Sequence, residues 1–320
     1  MLYGVFEMGN NGKRILCVGS INMDLTMFME RMPAPAETVI TDNFATYPGG
    51  KGGNQAVAAA RMGGNVGFLG KLGTDSFSNQ LLEELRRDGI DTSHILIEPD
   101  ETAGIAMIRI DREGINSISF SPGANALLTP RDIEENEALF EEYDFLLAVL
   151  EIPCETVYAA IRMAKKHGMT VVFDPSPIPK EPFPQDIIRM IDFTKPNEIE
   201  AAQLAGIKIT DIATAEACLE SLLTAGFPCP IVSLGKEGCI APVGGKNTRF
   251  TPPKVQAVDS TAAGDVFLGS FTAALSRDYP LYEAIRFASV ASALSTTVKG
   301  AQTSIPRLAE VEKVWKELSE

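Results

Sequence analysis

The sequence has little of what builds metal centres and disulfide scaffolds. It holds only two histidines, His94 and His167, which lie far apart in the chain, so a histidine-based metal site is not expected. Its five cysteines are odd in number and form no Cys-x-x-Cys pair, which argues against a zinc site or a disulfide framework. We expect reduced thiols in a cytoplasmic protein.

Long apolar runs and an excess of positive charge are also missing. No apolar run is long enough to cross a bilayer, and residues 1–8 lack the basic flank and apolar core of a secretory signal. Lys and Arg number 28 against 42 Asp and Glu, a formal charge of −14. Such a surface does not suit a nucleic-acid backbone, although a local pocket can still bind a nucleotide. We therefore expect neither a membrane nor a nucleic-acid partner.

The residues that are present indicate one large α/β domain over residues 13–320, preceded by a short flexible tail at 1–12. With 45% hydrophobic residues the chain can bury a full core. Short apolar runs alternate with helical periodicity, as in a mostly parallel sheet covered by helices. The predicted strands of this sheet are 14–20, 66–70, 144–150 and 170–174. The predicted helices include 75–87, 131–142, 156–166, 266–276, 281–297 and 308–318.

A second group of extended segments does not fit this alternation. Residues 104–110 and 115–120 are β-type segments joined by a predicted hairpin turn, and residues 38–41 form another extended piece. These segments could form a small separate sheet that closes over a pocket, or an antiparallel edge of the main sheet.

The stretch from Asp259 to Asp265 is the most informative part of the sequence. Small residues from Ser260 to Gly264 lead into an apolar helical segment. Free N–H groups and the positive end of the helix dipole suit an anion, most often a phosphate. Asp265 could accept a proton from a substrate hydroxyl there. The alternative is an ordinary helix start with an acidic residue near its cap.

Polar residues near other turns could complete a ligand site. The glycine-rich segment 48–55 brings Lys51 and Asn54 to the start of an alanine-rich helix, although it lacks the Walker pattern. Asp24 and Glu151 follow predicted strands, at the sheet edge where ligands gather. For each of these residues a purely structural role, such as a turn, remains the alternative.

Two further segments admit a functional and a structural interpretation. Asn197 and Glu200 are three residues apart at the start of a predicted helix, where they could order water around Mg²⁺ or form a capping box. Residues 229–240 read as strand, tight turn and strand, and this turn could touch a nucleotide or be a plain hairpin.

Taken together, these motifs resemble the ribokinase family of sugar kinases, the PfkB-type carbohydrate kinases. The similarity covers about residues 13–310, and the motifs that carry it are 49–56, 122–125, 196–198, 259–265 and 300–302. It implies a three-layer α/β/α fold, ribokinase-like, with a mostly parallel central sheet and a small β-sheet lid formed by about 21–47 and 98–121. It also implies transfer of the γ-phosphoryl group of ATP to the primary 5-hydroxyl of D-ribose.

The resemblance assigns a role to each candidate residue. Asp265 would be the base, and the N–H groups of Ala262, Ala263, Gly264 and Asp265 would stabilise the transferring phosphoryl group. The sugar would be bound by Asp24, Gly50, Lys51, Asn54, Glu151 and Asp265. Asn197 and Glu200 would serve the phosphates and Mg²⁺, and Ser233, Gly235, Gly238 and Gly264 would line the nucleotide. A K⁺ site would comprise Asp259 and Ser304 with the carbonyls of Thr261, Ser295, Val298 and Gly300.

The resemblance also implies a homodimer that forms through the lid. One departure concerns the phosphate loop, since Ser260 and Ala262 replace the threonine and glycine that the family most often has. Alanine still supplies an N–H, so the anion site can persist. Other acceptors on the same fold, namely deoxyribose, a ketohexose or a nucleoside, stay open, as does a sugar sensor without catalysis.

Overall fold

The computed structural model describes residues 12–41 and 43–318, so the predicted tail at 1–12 lies outside the described residues except for Gly12. The strands are β1 (Arg14–Val18), β2 (Asn22–Phe28), β3 (Asn43–Gly49), β4 (Asn65–Leu72), β5 (Ile95–Ile97), β6 (Gly104–Ile110), β7 (Asn116–Ser121), β8 (Phe145–Val149), β9 (Thr170–Asp174), β10 (Phe193–Thr194), β11 (Val232–Ser233), β12 (Cys239–Val243) and β13 (Lys246–Phe250). The helices are α1 (Lys51–Arg61), α2 (Ser76–Arg87), α3 (Pro130–Glu135), α4 (Glu137–Phe140), α5 (Cys154–Lys166), α6 (Gln185–Met190), α7 (Glu198–Ala205), α8 (Ile212–Ala225), α9 (Ala263–Ser276), α10 (Leu281–Ser295) and α11 (Leu308–Glu317).

The main sheet is parallel and buried between two layers of helices. Its strand order is β10-β9-β8-β1-β4-β5, with every pairing parallel. Alternate residues of β1 enter different cores: Ile15 and Cys17 pack with α1, α2, α9, α10 and α11, whereas Leu16 and Val18 pack with α3 to α8. This alternation follows from the two-residue period of a strand. The predicted three-layer α/β/α arrangement is confirmed.

Two smaller sheets flank this body. Strands β3, β2, β6 and β7 form a four-stranded sheet in that order, in which β2 and β6 are parallel and the other neighbours antiparallel. Strands β11, β12 and β13 form an antiparallel three-stranded sheet. The predicted hairpin between 104–110 and 115–120 is therefore present as β6 and β7. The four-stranded sheet is separate and is not an edge of the main sheet.

The glycine-rich segment forms the first turn of α1 and is not a loop before it. The helix begins at Lys51, whereas the sequence placed its regular part from Ala56 onward. Gly50 precedes the helix with a φ of 82°, and a side chain there would lie 2.7 Å from the backbone nitrogen of Asn22. Only glycine suits a left-handed residue at so close a contact. The start of α1 is thereby pressed against the residues that follow β1.

Several predicted elements are wrong in detail. Residues 38–41 are not a strand; they are largely exposed, with Ile40 91% exposed, and the strand β3 follows them. Asp24, for which a turn was the structural alternative, lies on β2, whose backbone pairs on both sides. The predicted helix over 131–142 breaks at Asn136 into α3 and α4. Helix α8 and strand β13 were not anticipated.

Across the described residues, no helix is both long and apolar enough to span a membrane.

Candidate active site

The loop before α9 presents backbone N–H groups, as the small residues predicted. Ala262 has a left-handed φ of 61° and caps the helix, which begins at Ala263. The N–H of Ala263 donates to the Ser260 carbonyl at 3.2 Å. Within residues 12–41 and 43–318, the N–H groups of Ala262, Gly264 and Asp265 have no acceptor. Three of the four predicted amides are thus available to an anion, and the fourth is engaged within the loop.

Asp265 lies in the first turn of α9 and is only 5% exposed. Two side chains from α1 hold its carboxylate: Asn54 Nδ2 donates to Oδ2 at 3.0 Å, and Gln55 Nε2 donates to Oδ1 at 3.3 Å. These bonds fix the orientation of an acid whose burial would otherwise disfavour its charge. The sequence indicated Asn54 but not Gln55.

Lys51 lies between two buried carboxylates. Its Nζ is 3.7 Å from Asp265 Oδ1 and 3.8 Å from Asp174 Oδ2. Burial opposes the charge on Lys51, but the carboxylates of Asp174 and Asp265 outweigh it and raise the pKa of the ammonium. Burial also raises the pKa of Asp174 to about 6, against the opposing charges of Lys51 and Lys195.

Sequence reasoning missed Asp174 and Lys195. Asp174 is 2% exposed, accepts a hydrogen bond from Gln55 at 2.8 Å and ends β9. It stands at the carboxyl end of a parallel strand, which is the signal that pointed to Asp24 and Glu151. Lys195 directly follows β10, and the same rule would have indicated it.

Glu151 connects three segments at the start of α1. Its Oε2 accepts hydrogen bonds from the hydroxyl of Ser20 at 2.5 Å and from the backbone N–H of Lys51 at 2.9 Å. Asn22 Nδ2 lies 3.5 Å from the same oxygen. The carboxylate therefore caps a helix N-terminus, which is a favourable place for negative charge.

Asp24 projects from β2 toward the start of the glycine-rich segment. A Cβ on Gly49 would lie 2.5 Å from Asp24 Oδ2, so the carboxylate rests against the glycine backbone. Burial, followed by the charges of Glu151 and Asp265, raises the pKa of Asp24 to about 7. Three carboxylates therefore converge on this part of the site.

An open cavity of about 450 Å³ lies beside these groups. Nine of the predicted residues line it: Lys51, Asn197, Glu200, Ser233, Gly235, Ala262, Ala263, Gly264 and Asp265. The other predicted sugar contacts, Asp24, Gly50, Asn54 and Glu151, do not line this cavity; Asn54 and Glu151 reach it through their bonds to Asp265 and Lys51. The structure thus brings the cavity-lining residues, Asn54 and Glu151 together around Lys51 and Asp265.

Asn197 and Glu200 form the capping box that was one of the two interpretations. Asn197 Oδ1 accepts the N–H groups of Ile199 and Glu200, and Glu200 Oε2 accepts the N–H of Asn197 at 2.8 Å. Within the described part of the chain, Glu200 Oε1 has no donor, and its residue lines the cavity. Capping therefore leaves one carboxylate oxygen to face a cation, so these residues fit Mg²⁺ that keeps most of its waters.

The strand–turn–strand segment contributes Ser233 and Gly235 to the cavity, and Gly238 to packing. Gly238 has a φ of 94°, and a Cβ there would lie 1.8 Å from the Phe250 carbonyl oxygen. Any other residue would push β12 away from β13. Gly238 is absent from the cavity lining.

Two of the predicted K⁺ residues, Thr261 and Gly300, bond to the carboxylate of Asp259. Its Oδ1 accepts the N–H and hydroxyl of Thr261, and its Oδ2 accepts the N–H of Gly300 at 2.9 Å. Burial opposes the charge of Asp259, but the N–H of Gly300 and the bonds from Thr261 outweigh it and hold the pKa of this carboxyl below its ordinary value. Ser304 is buried, and its hydroxyl donates to the Ala301 carbonyl.

The oxygens near Asp259 suit a monovalent cation. The Ser295 carbonyl accepts the N–H of Val298 at 3.3 Å, whereas in the described residues the carbonyls of Thr261, Val298 and Gly300 accept none. No cluster of three or more His, Cys, Asp or Glu in the described ranges could hold a metal ion. One carboxylate beside free carbonyls fits a monovalent cation better than a divalent one.

The pKa of Asp24 gives a stability prediction. Because the folded-state pKa of about 7 exceeds the ordinary 3.8, the folded chain holds an extra proton between these values, and stability falls as pH rises through that window. We expect the free energy of unfolding of Asp24→Asn to equal that of the wild type near pH 4 and to exceed it by up to about 4 kcal/mol at pH 8, measured by urea denaturation. Asp278→Asn, at an exposed aspartate, is the control. A difference that stays constant with pH would contradict this pKa.

Comparisons with known proteins agree with this geometry. The model of the pfkB family of carbohydrate kinases matches residues 13–308. A ribokinase of Staphylococcus aureus is 36% identical over 303 residues, covering 94% of this chain and 99% of the relative. A deoxyribokinase of Salmonella typhi is 33% identical over 294 residues, covering 92% and 96%. The structure of Arabidopsis thaliana ribokinase with ribose and ATP superposes with a TM-score of 0.90 at 29% identity, covering 96% and 99%. The chain belongs to the pfkB family of carbohydrate kinases and is a sugar kinase.

Proposed function

We propose that this chain transfers the γ-phosphoryl group of ATP to the primary 5-hydroxyl of D-ribose, giving ribose 5-phosphate and ADP. The observation that carries the proposal is the buried carboxylate of Asp265 on the turn that presents the free amides of Gly264 and Ala262. The relatives named ribokinase and the neighbour solved with ribose and ATP support this choice of substrates.

The chemistry needs a proton acceptor and a site for the phosphoryl charge. Asp265 takes the proton of the 5-hydroxyl as its oxygen forms a bond to the γ-phosphorus. The bond from that phosphorus to the bridging oxygen breaks, and its electron pair leaves with ADP. The N–H groups of Ala262, Gly264 and Asp265 face the phosphoryl oxygens, and Ala263 joins them if its bond to Ser260 opens.

Sugar binding falls to the groups around the start of α1. Asp24 and Glu151 offer carboxylate oxygens to vicinal hydroxyls, and Lys51 and Asn54 offer donors. The backbone of Gly50 lets the sugar approach the main chain closely. The four-stranded sheet, with Asp24 on β2, would act as the lid that excludes water.

The nucleotide and Mg²⁺ would occupy the cavity next to this sugar subsite. Ser233, Gly235 and Gly264 line it, and Gly238 supports the turn behind them. Asn197 and Glu200 would position Mg²⁺ through water. When bound, Mg²⁺ neutralises charge on the phosphates.

A K⁺ beside Asp259 would act through the loop that leads to Ala262. Thr261 and Gly300, which bond to Asp259, would contribute carbonyl oxygens, and Ser295, Val298 and Ser304 would complete the site. Its charge would favour the loop conformation that presents the amides.

We also propose a homodimer that forms through the lid. Its strands expose large apolar side chains: Phe44 at 57%, Met107 at 43%, Ile118 at 56% and Phe120 at 48%. Apolar surface of this kind favours a partner chain.

The free cysteines Cys17, Cys154, Cys218, Cys229 and Cys239 support a reducing compartment, the cytoplasm.

A sugar panel tests the acceptor. With ATP, Mg²⁺ and K⁺ present, we expect ADP release to be fastest with D-ribose and slower with deoxyribose, a ketohexose or a nucleoside. Faster release with deoxyribose would make deoxyribose the acceptor and leave the proposed mechanism unchanged. The similarity to a deoxyribokinase is consistent with that outcome. Binding of sugar with no ADP release from any acceptor would establish the sensor instead.

Removal of the base tests the mechanism. We expect Asp265→Asn to lower kcat about 10²–10⁴-fold because no carboxylate remains to accept the hydroxyl proton. Affinities for ribose and ATP should stay within a few-fold of the wild-type values. The melting temperature should stay close to that of the wild type. Asp278→Asn, just beyond the end of α9, is the matched control and should turn over normally. Normal turnover by Asp265→Asn would exclude this residue as the base.

Salt dependence tests the cation site. We expect ADP release to be several-fold faster in K⁺ than in Na⁺ at equal ionic strength, since the larger ion suits carbonyl oxygens. Asp259→Asn should lose this difference, whereas the exposed Asp100→Asn should keep it. Equal wild-type rates in both salts would reject the site.

A further inference from the structure

Lys195 is a buried lysine that neither the family motifs nor the proposed roles explain. It is 5% exposed and directly follows β10. Its own N–H donates to the Phe173 carbonyl at 3.3 Å, and the carbonyl of Pro196 accepts the N–H of Ser233 at 3.0 Å. The main chain on either side is therefore fixed, and the side chain lines the cavity.

The ammonium of Lys195 has no direct partner. Within the described ranges no carboxylate lies within 4.0 Å of it and no acceptor lies within hydrogen-bond distance. Asp174, whose carboxylate interacts electrostatically with Lys195, already accepts bonds from Gln55 at 2.8 Å and from the N–H of Ser176 at 3.1 Å, with Lys51 at 3.8 Å. A buried lysine without a partner is unusual, because burial penalises unpaired charge.

The position of this ammonium makes an anion the missing partner. A Cβ on Gly264 would lie 2.8 Å from Lys195 Nζ, so the ammonium rests against the first turn of α9. That turn is the positive end of a helix and carries the free N–H groups of Gly264 and Asp265. Two positive groups therefore meet at the edge of an open cavity of about 450 Å³. In the described residues no carboxylate lies within 4.0 Å of the ammonium, so an anion in the cavity would be attracted by both positive groups.

We propose that Lys195 binds the terminal phosphates of the nucleoside triphosphate and is a further catalytic residue. The inference rests on the proposed function, because it places the nucleotide in this cavity. As the bond between the γ-phosphorus and the bridging oxygen breaks, the electron pair stays on ADP, and the Lys195 ammonium offsets that charge without giving up a proton. Lys51, beside Asp265, would bind the sugar, whereas Lys195 would bind the phosphates.

Nucleotide binding to the full-length chain, measured by calorimetry without sugar, tests the proposal. We expect Lys195→Met to weaken a non-hydrolysable ATP analogue about 10–100-fold, the loss of one charged hydrogen bond, and to leave AMP unchanged, since AMP lacks the β- and γ-phosphates. Lys195→Arg should retain most of the affinity. Lys180→Met, at an exposed lysine, is the control and should bind both ligands normally. In turnover assays kcat of Lys195→Met should fall about 10²–10³-fold.

The melting temperature of the ligand-free variants separates this role from a structural one. Removing an unpaired buried charge should leave the ligand-free Lys195→Met at or above the wild-type melting temperature, while the rise on adding the ATP analogue shrinks. A lower melting temperature in both Lys195→Met and Lys195→Arg, or unchanged affinity of Lys195→Met for the analogue, would overturn the proposal. The binding and melting measurements contain no sugar. If no sugar led to ADP release, the proposed function would be contradicted, but the proposed role of Lys195 in nucleotide binding would not.

Discussion

The structure depends on one interaction: a carboxylate held at the amide-bearing end of a helix. Asp265 lies in the first turn of α9, where Asn54 and Gln55 from α1 fix both of its oxygens. The helix dipole and the ammonium of Lys51 favour its charge despite burial. Since free amides occupy the same turn, the carboxylate that we propose as the base and the amides that we propose as the phosphate site stand side by side.

The close packing of α1 on α9 sets this geometry. A Cβ on Gly269 would lie 2.3 Å from the Gln55 carbonyl oxygen and 2.7 Å from the Ala58 side chain, so the two helices touch nearly backbone to backbone. Close-packed interiors transmit small displacements, and a shift of α1 would carry Asn54 and Gln55 away from Asp265. Glu151 fixes the other end of the arrangement through the N–H of Lys51. Helices far apart in sequence thus act as one support.

The sequence predicted the parts of the molecule that local pattern determines. The apolar run of β8 predicted a buried strand, which is present. The small residues before α9 predicted either a turn with free amides or an ordinary helix start, and the turn does present free amides. The four-stranded sheet was harder, because β2 and β3 are defined by pairing with neighbours and not by their own periodicity. Gln55, Asp174 and Lys195 were missed because their relation to Asp265 exists only in the folded chain. Of these, Asp174 and Lys195 do carry a signal, since both stand at the carboxyl ends of parallel strands.

Charge balance links the two halves of the site. Lys51 has a carboxylate within 4.0 Å on each side. In the described residues Lys195 has no carboxylate that close and rests against the first turn of α9, so a polyanion would complete the second half but not the first. The most direct test of the account is a crystal structure of the chain with D-ribose and a non-hydrolysable ATP analogue. The account predicts the Asp265 carboxylate within about 3.2 Å of the sugar's primary hydroxyl, with the Gly264 amide directed at the γ-phosphate. A carboxylate remote from the bound sugar, or amides directed into solvent, would contradict it.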